Sequence, residues 1–586
     1  MGLAQALLRA GEVTKALETL QPLLEGKAAQ PLAIGLAAQA HQQQGDLAKA
    51  EVLFKRAAAL DPSDKRARVA LALNQIARGD QSALEVLQST AAADQDTVAD
   101  LALINERMRR REFDAALKAV DALEKKIPAS VQVPLLRAQV QLALKQPDKA
   151  RQSLEQAQKA EPANLQVASA LAELDLRDKQ FDAARKRFDP VLKADANNVN
   201  ALLAVARIRK AAGAPAEEVA KLLEETVRAD PTSQVARLAV VEHHLAQKNN
   251  SAALIAAQEA VAALPDQPAV LAELARVQAI SGDLNQSINN LGQVAAKRPD
   301  SVQAQLMLAE VQMAAKNYDG AISALERARN LAPRDYRLAQ RLASAQLAAG
   351  KPAQAVSVAR ALQREKDMAG AGLLLEGDIE ASQRRWREAT TAYRAALASR
   401  QPNATPAAVK LHGALLAQED KAGAAAFAAK WMGEHAKDAG FVFHLSEVAL
   451  GQRDFAQAEA RLGEGLKLRP DDAIMLNNLA WVQVQLKRGE AVATAEKANK
   501  LRPDTPAFMD TLATALAASK QMDKAIEVQK KAVALDGKDP GWRLNLARLY
   551  IDAGQRAQAR TELDALAKLG TDFKGQDEVQ KLLKDL

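Results

Sequence analysis

The sequence predicts an all-α solenoid of about seventeen helix-turn-helix repeats, and three observations carry that reading. Apolar residues make up 48% of the chain but aromatics only 3%, so its interior must be built from Ala, Leu and Val, which suits slim, closely packed helices. At 586 residues the chain is too long for one ordinary core. The third observation favours an array over separate domains: the phrase GDLAKAEVLFKRAAALDPSD at 45–64 returns, redecorated, at a fixed step.

Within that phrase Ala50, Phe54 and Ala57 stand at i, i+4 and i+7, one stripe of a helix. The same triplet recurs as Ala150, Leu154 and Ala157, as Ala184, Phe188 and Val191, as Ala321, Leu325 and Ala328, and as Ala389, Tyr393 and Ala396. Taking its first residue as a marker, the register runs from Ala16 to Ala559 in sixteen steps of about 34 residues, the period of a helix-turn-helix array. It slips by one or two residues near Ala83, Ala220 and Ala425, so the stretches 80–100, 210–225 and 400–440 are expected to be the least regular.

Each element of the unit has a sequence signal. A small residue lies twelve positions before most markers, as at Ala38, Ala138, Ala172, Ala275, Ala309, Ala343, Gly377, Ala513 and Ala547, and supplies the opposing half of a close helix-helix contact. Gly45, Gly79, Gly282, Gly350 and Gly554 fall at the turn between the two helices, where a left-handed residue ends the first. Pro62, Pro162, Pro231, Pro299 and Pro470 mark the exit of the second helix, often followed by Asp, Ser or Asn able to cap the next. At the end of the chain, Val579, Leu582, Leu583 and Leu586 keep helical phase, which predicts a capping helix over 576–586.

This A-x3-F-x2-A-x4-P pattern resembles the tetratricopeptide repeat family over nearly the whole chain. The resemblance implies one continuous right-handed superhelix over 1–575, with the first helix of each pair lining a concave wall. The chain departs from the family pattern in rarely having Trp early in the first helix.

Composition and motifs exclude several chemistries. There is no Cys, hence no disulfide, thiolate metal site or cysteine nucleophile. The six His residues show no metal-ligand spacing, and the adjacent pair in EHHLA at 242–246 points to different sides of a helix. MAGAGLLLEG at 368–377 lacks the spacing of a dinucleotide loop, and neither a P-loop nor a G-x-S-x-G occurs. No catalytic residue, metal site or cofactor is therefore assigned. The densest basic run, RMRRRE at 107–112, has no interleaved aromatic and reads as a solvated helix end, so nucleic acid is not expected as a partner. No apolar run reaches the length of a membrane span, and the N-terminal segment lacks a signal-peptide core.

Functional information is expected where the repeats disagree. The residue after the small position of each first helix, which the resemblance places on the concave wall, reads Gln39, Gln139, Glu173, Arg207, Glu242, Arg276, Glu310, Asp378, Ala414, Glu447, Trp481 and Arg548 in twelve of the repeats. From Glu173 to Glu310 the sign alternates, and packed helices lie about 8–10 Å apart, so a ladder of ion pairs is expected. Such a ladder either holds register or is replaced by a charged partner. In LNNLAWVQVQL at 476–486, Asn477 and Trp481 share a helix, and Trp481 reads either as a contact for peptide or sugar or as packing between repeats. Asn478 and Asn545 match the Asn of the family's clamp for C-terminal carboxylates, but its Lys and Arg are missing.

The last 120 or so residues, with LNNLAW, DTLATAL and LARLYIDAGQRAQARTELDALAKLG, are similar to bacterial repeat proteins of exopolysaccharide and exosortase (PEP-CTERM) systems. That resemblance implies a non-catalytic scaffold recruiting proteins or peptides of an envelope or secretion complex, periplasmic or outer-membrane associated. Since the chain shows no signal and no lipid-attachment Cys, it further implies a mature or truncated form. The alternative is a groove that itself binds polysaccharide or peptide through Trp481, Tyr393 and Trp386.

Overall fold

Local signals start and stop the helices as the sequence suggests. Asp46 accepts from the Lys49 N–H at the start of Leu47–Leu60, and Asp64, two residues after Pro62, accepts from Arg66 and Ala67 N–H at the start of Lys65–Ala77. Asn164, Ser233, Ser301 and Asp472 cap later first helices in the same way. The computed structural model describes residues 1–24, 30–93, 95–365, 367–399 and 404–586, so residues 94 and 400–403 of two stretches expected to be irregular lie outside the described residues. Among the described residues every regular element is a helix, and the chain is an α-solenoid that divides into two compact units, Met1–Val294 and Ala295–Leu586.

Within each unit, antiparallel pairs such as Pro31–Gln43 with Leu47–Leu60, or Val302–Ala314 with Tyr318–Leu331, pack against their neighbours. The small-residue contact is built as the register predicts. Ala50, Phe54 and Ala57 are buried, as are the four other quoted triplets, and all nine opposing small residues are buried too. Where the marker is Ser287, its hydroxyl donates to the Ala275 carbonyl at 2.7 Å, so the polar group is satisfied inside the slot. At Gly377 no side chain fits, because a Cβ there would collide with the Tyr393 ring.

Two markers need correction. The buried residue is Val219, packed on Ala206 and Leu223, rather than the half-buried Ala220. It is also Ala424, 1% exposed, rather than the exposed Ala425. The first error follows from requiring a small residue where the slot takes Val. The second follows from the run Ala424 to Ala426, which offers no apolar contrast to set the phase, so that only Trp431, buried seven residues on, reveals it. This correction moves the wall position from the buried Ala414 to Gly413.

The turns inside the pairs hold a feature that glycine counting misses. Gly11, Gly45, Gly79, Gly213, Gly282, Gly350 and Gly554 take φ of 72 to 98°. The equivalent turns elsewhere reach φ of 55 to 66° at Arg111, Lys145, Lys179, Lys248, Lys316, Arg384, Glu419, Arg453, Lys487 and Lys520. A side chain in the left-handed region costs about 1–2 kcal/mol. A cation at a helix C-terminus recovers part of that against the exposed carbonyls. Lys145→Gly and Lys179→Gly are each expected to raise stability by roughly 0.5–1 kcal/mol, and Gly377→Ala to lower it by about 1–3 kcal/mol, in chemical denaturation.

Candidate partner-binding face

First helices present their variable residues on one side because the small position that precedes each is locked against the second helix. In the first unit Gln139, Glu173, Arg207 and Glu242 are exposed and Arg276 is half-buried. In the second unit Glu310, Glu447, Trp481 and Arg548 are exposed, while Asp378 and Asn477 are half-buried.

The expected charge ladder is formed at one rung of the first unit. Arg276 bonds Glu242 at 2.6 Å and Glu273 of its own helix, whereas Glu173 and Arg207 have no ion-pair partner among the described residues. Burial of that Arg276 cluster is partial, and the Glu273 hydrogen bond keeps its guanidinium firmly protonated. In the second unit Glu310 is held by Arg341. Asp378 accepts from Tyr393 Oη at 2.9 Å and Lys410 Nζ at 2.7 Å. Tyr393 is buried and committed to that bond, which removes it from the residues expected to meet a glycan. Arg548 is likewise structural, since it bonds Glu578 of the terminal helix Gln576–Asp585 at 2.9 Å and Asn545 Oδ1 at 2.7 Å. Trp481 stays 40% exposed with its ring edge-on to Phe455 at 5.5 Å, so it both packs and faces solvent.

Models of one family, the tetratricopeptide repeat, match residues 33–64, 101–164, 141–208, 278–345, 445–491 and 516–586, together more than half of the chain. The chain belongs to the tetratricopeptide repeat (TPR) family. A curated relative, Cellulose synthase 2 operon protein C of Komagataeibacter xylinus, is 35% identical over 125 residues, which is 20% of this TPR chain and 9% of the relative's own length. Among solved structures, that of Naa15/Naa10 bound to HypK-THB aligns over 100% of this chain and 93% of that chain at 15% identity, with a TM-score of 0.29. No helix of the described residues is long and apolar enough to cross a membrane.

Two polar clusters of this TPR chain escaped the sequence reading because each joins residues one repeat apart. Asp510 Oδ1 accepts from Gln529 Nε2 at 2.8 Å and from Asn545 Nδ2 at 2.7 Å. Asn545 therefore has both ends of its amide engaged and is not available as a clamp residue. Asn477, one repeat before Asp510, keeps a buried Oδ1 with no hydrogen-bond partner among the described residues. The second cluster pairs His412 Nδ1 with His444 Nε2 at 2.9 Å, the rings edge-on to one another beside Phe441.

Both clusters make stability depend on pH. Burial, reinforced by His412, pushes His444 from 6.5 down to about 4, so between those values the unfolded chain binds the proton and the folded chain does not. Stability is expected to fall as pH drops through that window, and His444→Phe to flatten this limb of a melting-temperature profile. Burial raises the Asp510 carboxyl above its ordinary 3.8 despite its two amide donors. The folded chain keeps this proton longer, so the contribution is lost as pH rises through the shifted value. Asp510→Asn, which retains Oδ1 and cannot ionise, is expected to melt at pH 7 no lower than the parent.

Proposed function

We propose that this TPR chain is a non-catalytic scaffold that recruits proteins of a bacterial envelope or exopolysaccharide-export assembly. Its 1–575 array acts as one continuous superhelix closed by 576–586, in the periplasm or at the outer membrane. The observation that carries the reading is the uncommitted polarity of the first-helix face. Glu173, Arg207 and Glu447 are exposed without an ion pair among the described residues. An exposed pair would stabilise by only about 0–1 kcal/mol, so leaving it unmade costs the fold little and leaves the charge to a partner. The polysaccharide-operon name of the partial relative supports the setting. The second reading, a groove that takes peptide or polysaccharide, is favoured by the exposed Trp481 among Asn477 and Asn478.

Arg207→Glu separates a binding role from a structural one because Arg207 has no ion pair to lose among the described residues. Immobilised protein is expected to capture a defined set of envelope proteins that Arg207→Glu no longer captures, with stability unchanged within about 0.5 kcal/mol. An unchanged captured set contradicts the reading. Capture that survives Arg207→Glu but vanishes with Trp481→Ala and with free cello-oligosaccharide supports the groove alternative instead.

A further inference from the structure

The stretch expected to be irregular near 80–100 opens a cleft of about 480 Å³, away from the first-helix row. Its floor is one face of Val98–Arg109, contributing Asp100, Leu103 and Arg107 at i, i+3 and i+7. One wall is the end of Ser82–Ala93, with Ala91 and Ala92; the other is Phe113–Lys126, with Ala115, Ala119 and Ala122. Alanine on both walls leaves the space between the two second helices unfilled, where longer side chains would meet.

Charge around the cleft is sorted to one sign. The helix Phe113–Lys126 carries three acids and three bases, but none of its acids Asp114, Asp121 and Glu124 lines the cleft, and Asp121 and Glu124 are both bound by Arg137 of the next helix, Glu124 at 2.8 Å. Facing the cleft are Lys118 and Lys125, both exposed and without an ion pair among the described residues, with Arg107 and Lys126 below them. The cleft's one acid, Asp100, is 3% exposed and neutralised by Lys126 Nζ at 2.6 Å. Arg107 is oriented by Gln88 Oε1 at 3.0 Å and paired with Glu112.

We infer that this trough binds an acidic amphipathic helix of a partner protein. Three features select that occupant. From Ala115 to Lys126 the wall runs about 16 Å, three helical turns, the length over which a docked helix presents apolar residues at i, i+3 or i+4, and i+7. Ala-lined walls admit a helix at close approach. Lys118 and Lys125 stand two turns apart, about 10 Å, and so serve several acids along a helix rather than the single headgroup of a small amphiphile. The inference does not depend on the polar row of the first helices and stands whether or not Arg207 contacts a partner.

The test uses the full chain and three probes: a synthetic Leu-faced helix flanked by Glu, about four turns long, its twin with Lys for Glu, and dodecanoate. Fluorescence anisotropy is expected to show binding of the Glu peptide only. Affinity should fall about tenfold in Lys118→Glu/Lys125→Glu, and similarly in the parent at about 0.5 M salt. Ala122→Trp, at an exposed position that fills the trough, should also abolish binding, with melting unchanged in both variants. Equal binding of the two peptides, full binding by either variant, or binding of dodecanoate but neither peptide would each overturn the assignment.

Discussion

Close approach of a small residue on each first helix to a small residue on its partner is the constraint on which the rest of this chain depends. Ala38 opposite Ala50, Ala138 opposite Ala150 and Ala309 opposite Ala321 are all within 2% of complete burial. At that separation the large residue at i+4, Phe54, Leu154 or Leu325, fills the space beside the contact, and the pair becomes a slab that buries its other faces only against a neighbour. Exceptions obey the same geometry. Ser287 fits because its hydroxyl reaches a carbonyl across the slot, and Gly377 is required because Tyr393 occupies the room a Cβ would need.

That constraint also sorts the surface. Once the small position is locked inward, the next residue points outward, so most of the row from Gln139 to Arg548 is exposed and open to variation. Part of the row has nevertheless been taken back by the fold. Asp378 serves Tyr393 and Lys410, and Arg548 ties down the terminal helix through Glu578, while Arg207 and Glu173 have no ion pair among the described residues. The same division appears on Phe113–Lys126, where Asp121 and Glu124 hold Arg137 and the lysines face an Ala-lined trough.

How much of this was legible depended on whether a signal repeats. Ala50, Phe54 and Ala57 were readable because most of the seventeen similar phrases keep one phase. Ala425 was misread because a run of alanines has no phase of its own, and Ala220 because Val can fill the slot at 219. The basic residues at left-handed turns went unread because Lys145 or Arg453 looks like any solvated helix end until its φ is seen. Of the candidate site, outward direction was legible and partnership was not. The bonds from Asn545 to Asp510 and from His412 to His444 cross one repeat, and no local pattern announces them. The cleft at 80–126 was visible only as lost regularity, since alanines that create a void read the same as alanines that close a contact.

The most direct measurement of the packing constraint compares adjacent residues that sequence alone does not tell apart. Ala424 is 1% exposed and Ala425 lies on the surface of the same helix, Lys421–Glu434. Ala424→Leu is expected to lower stability by about 1–3 kcal/mol in denaturant titration, and Ala425→Leu to leave it within about 0.5 kcal/mol. Equal effects at the two positions, or the larger loss at Ala425, would contradict the register and with it the small-residue contact as the organising constraint.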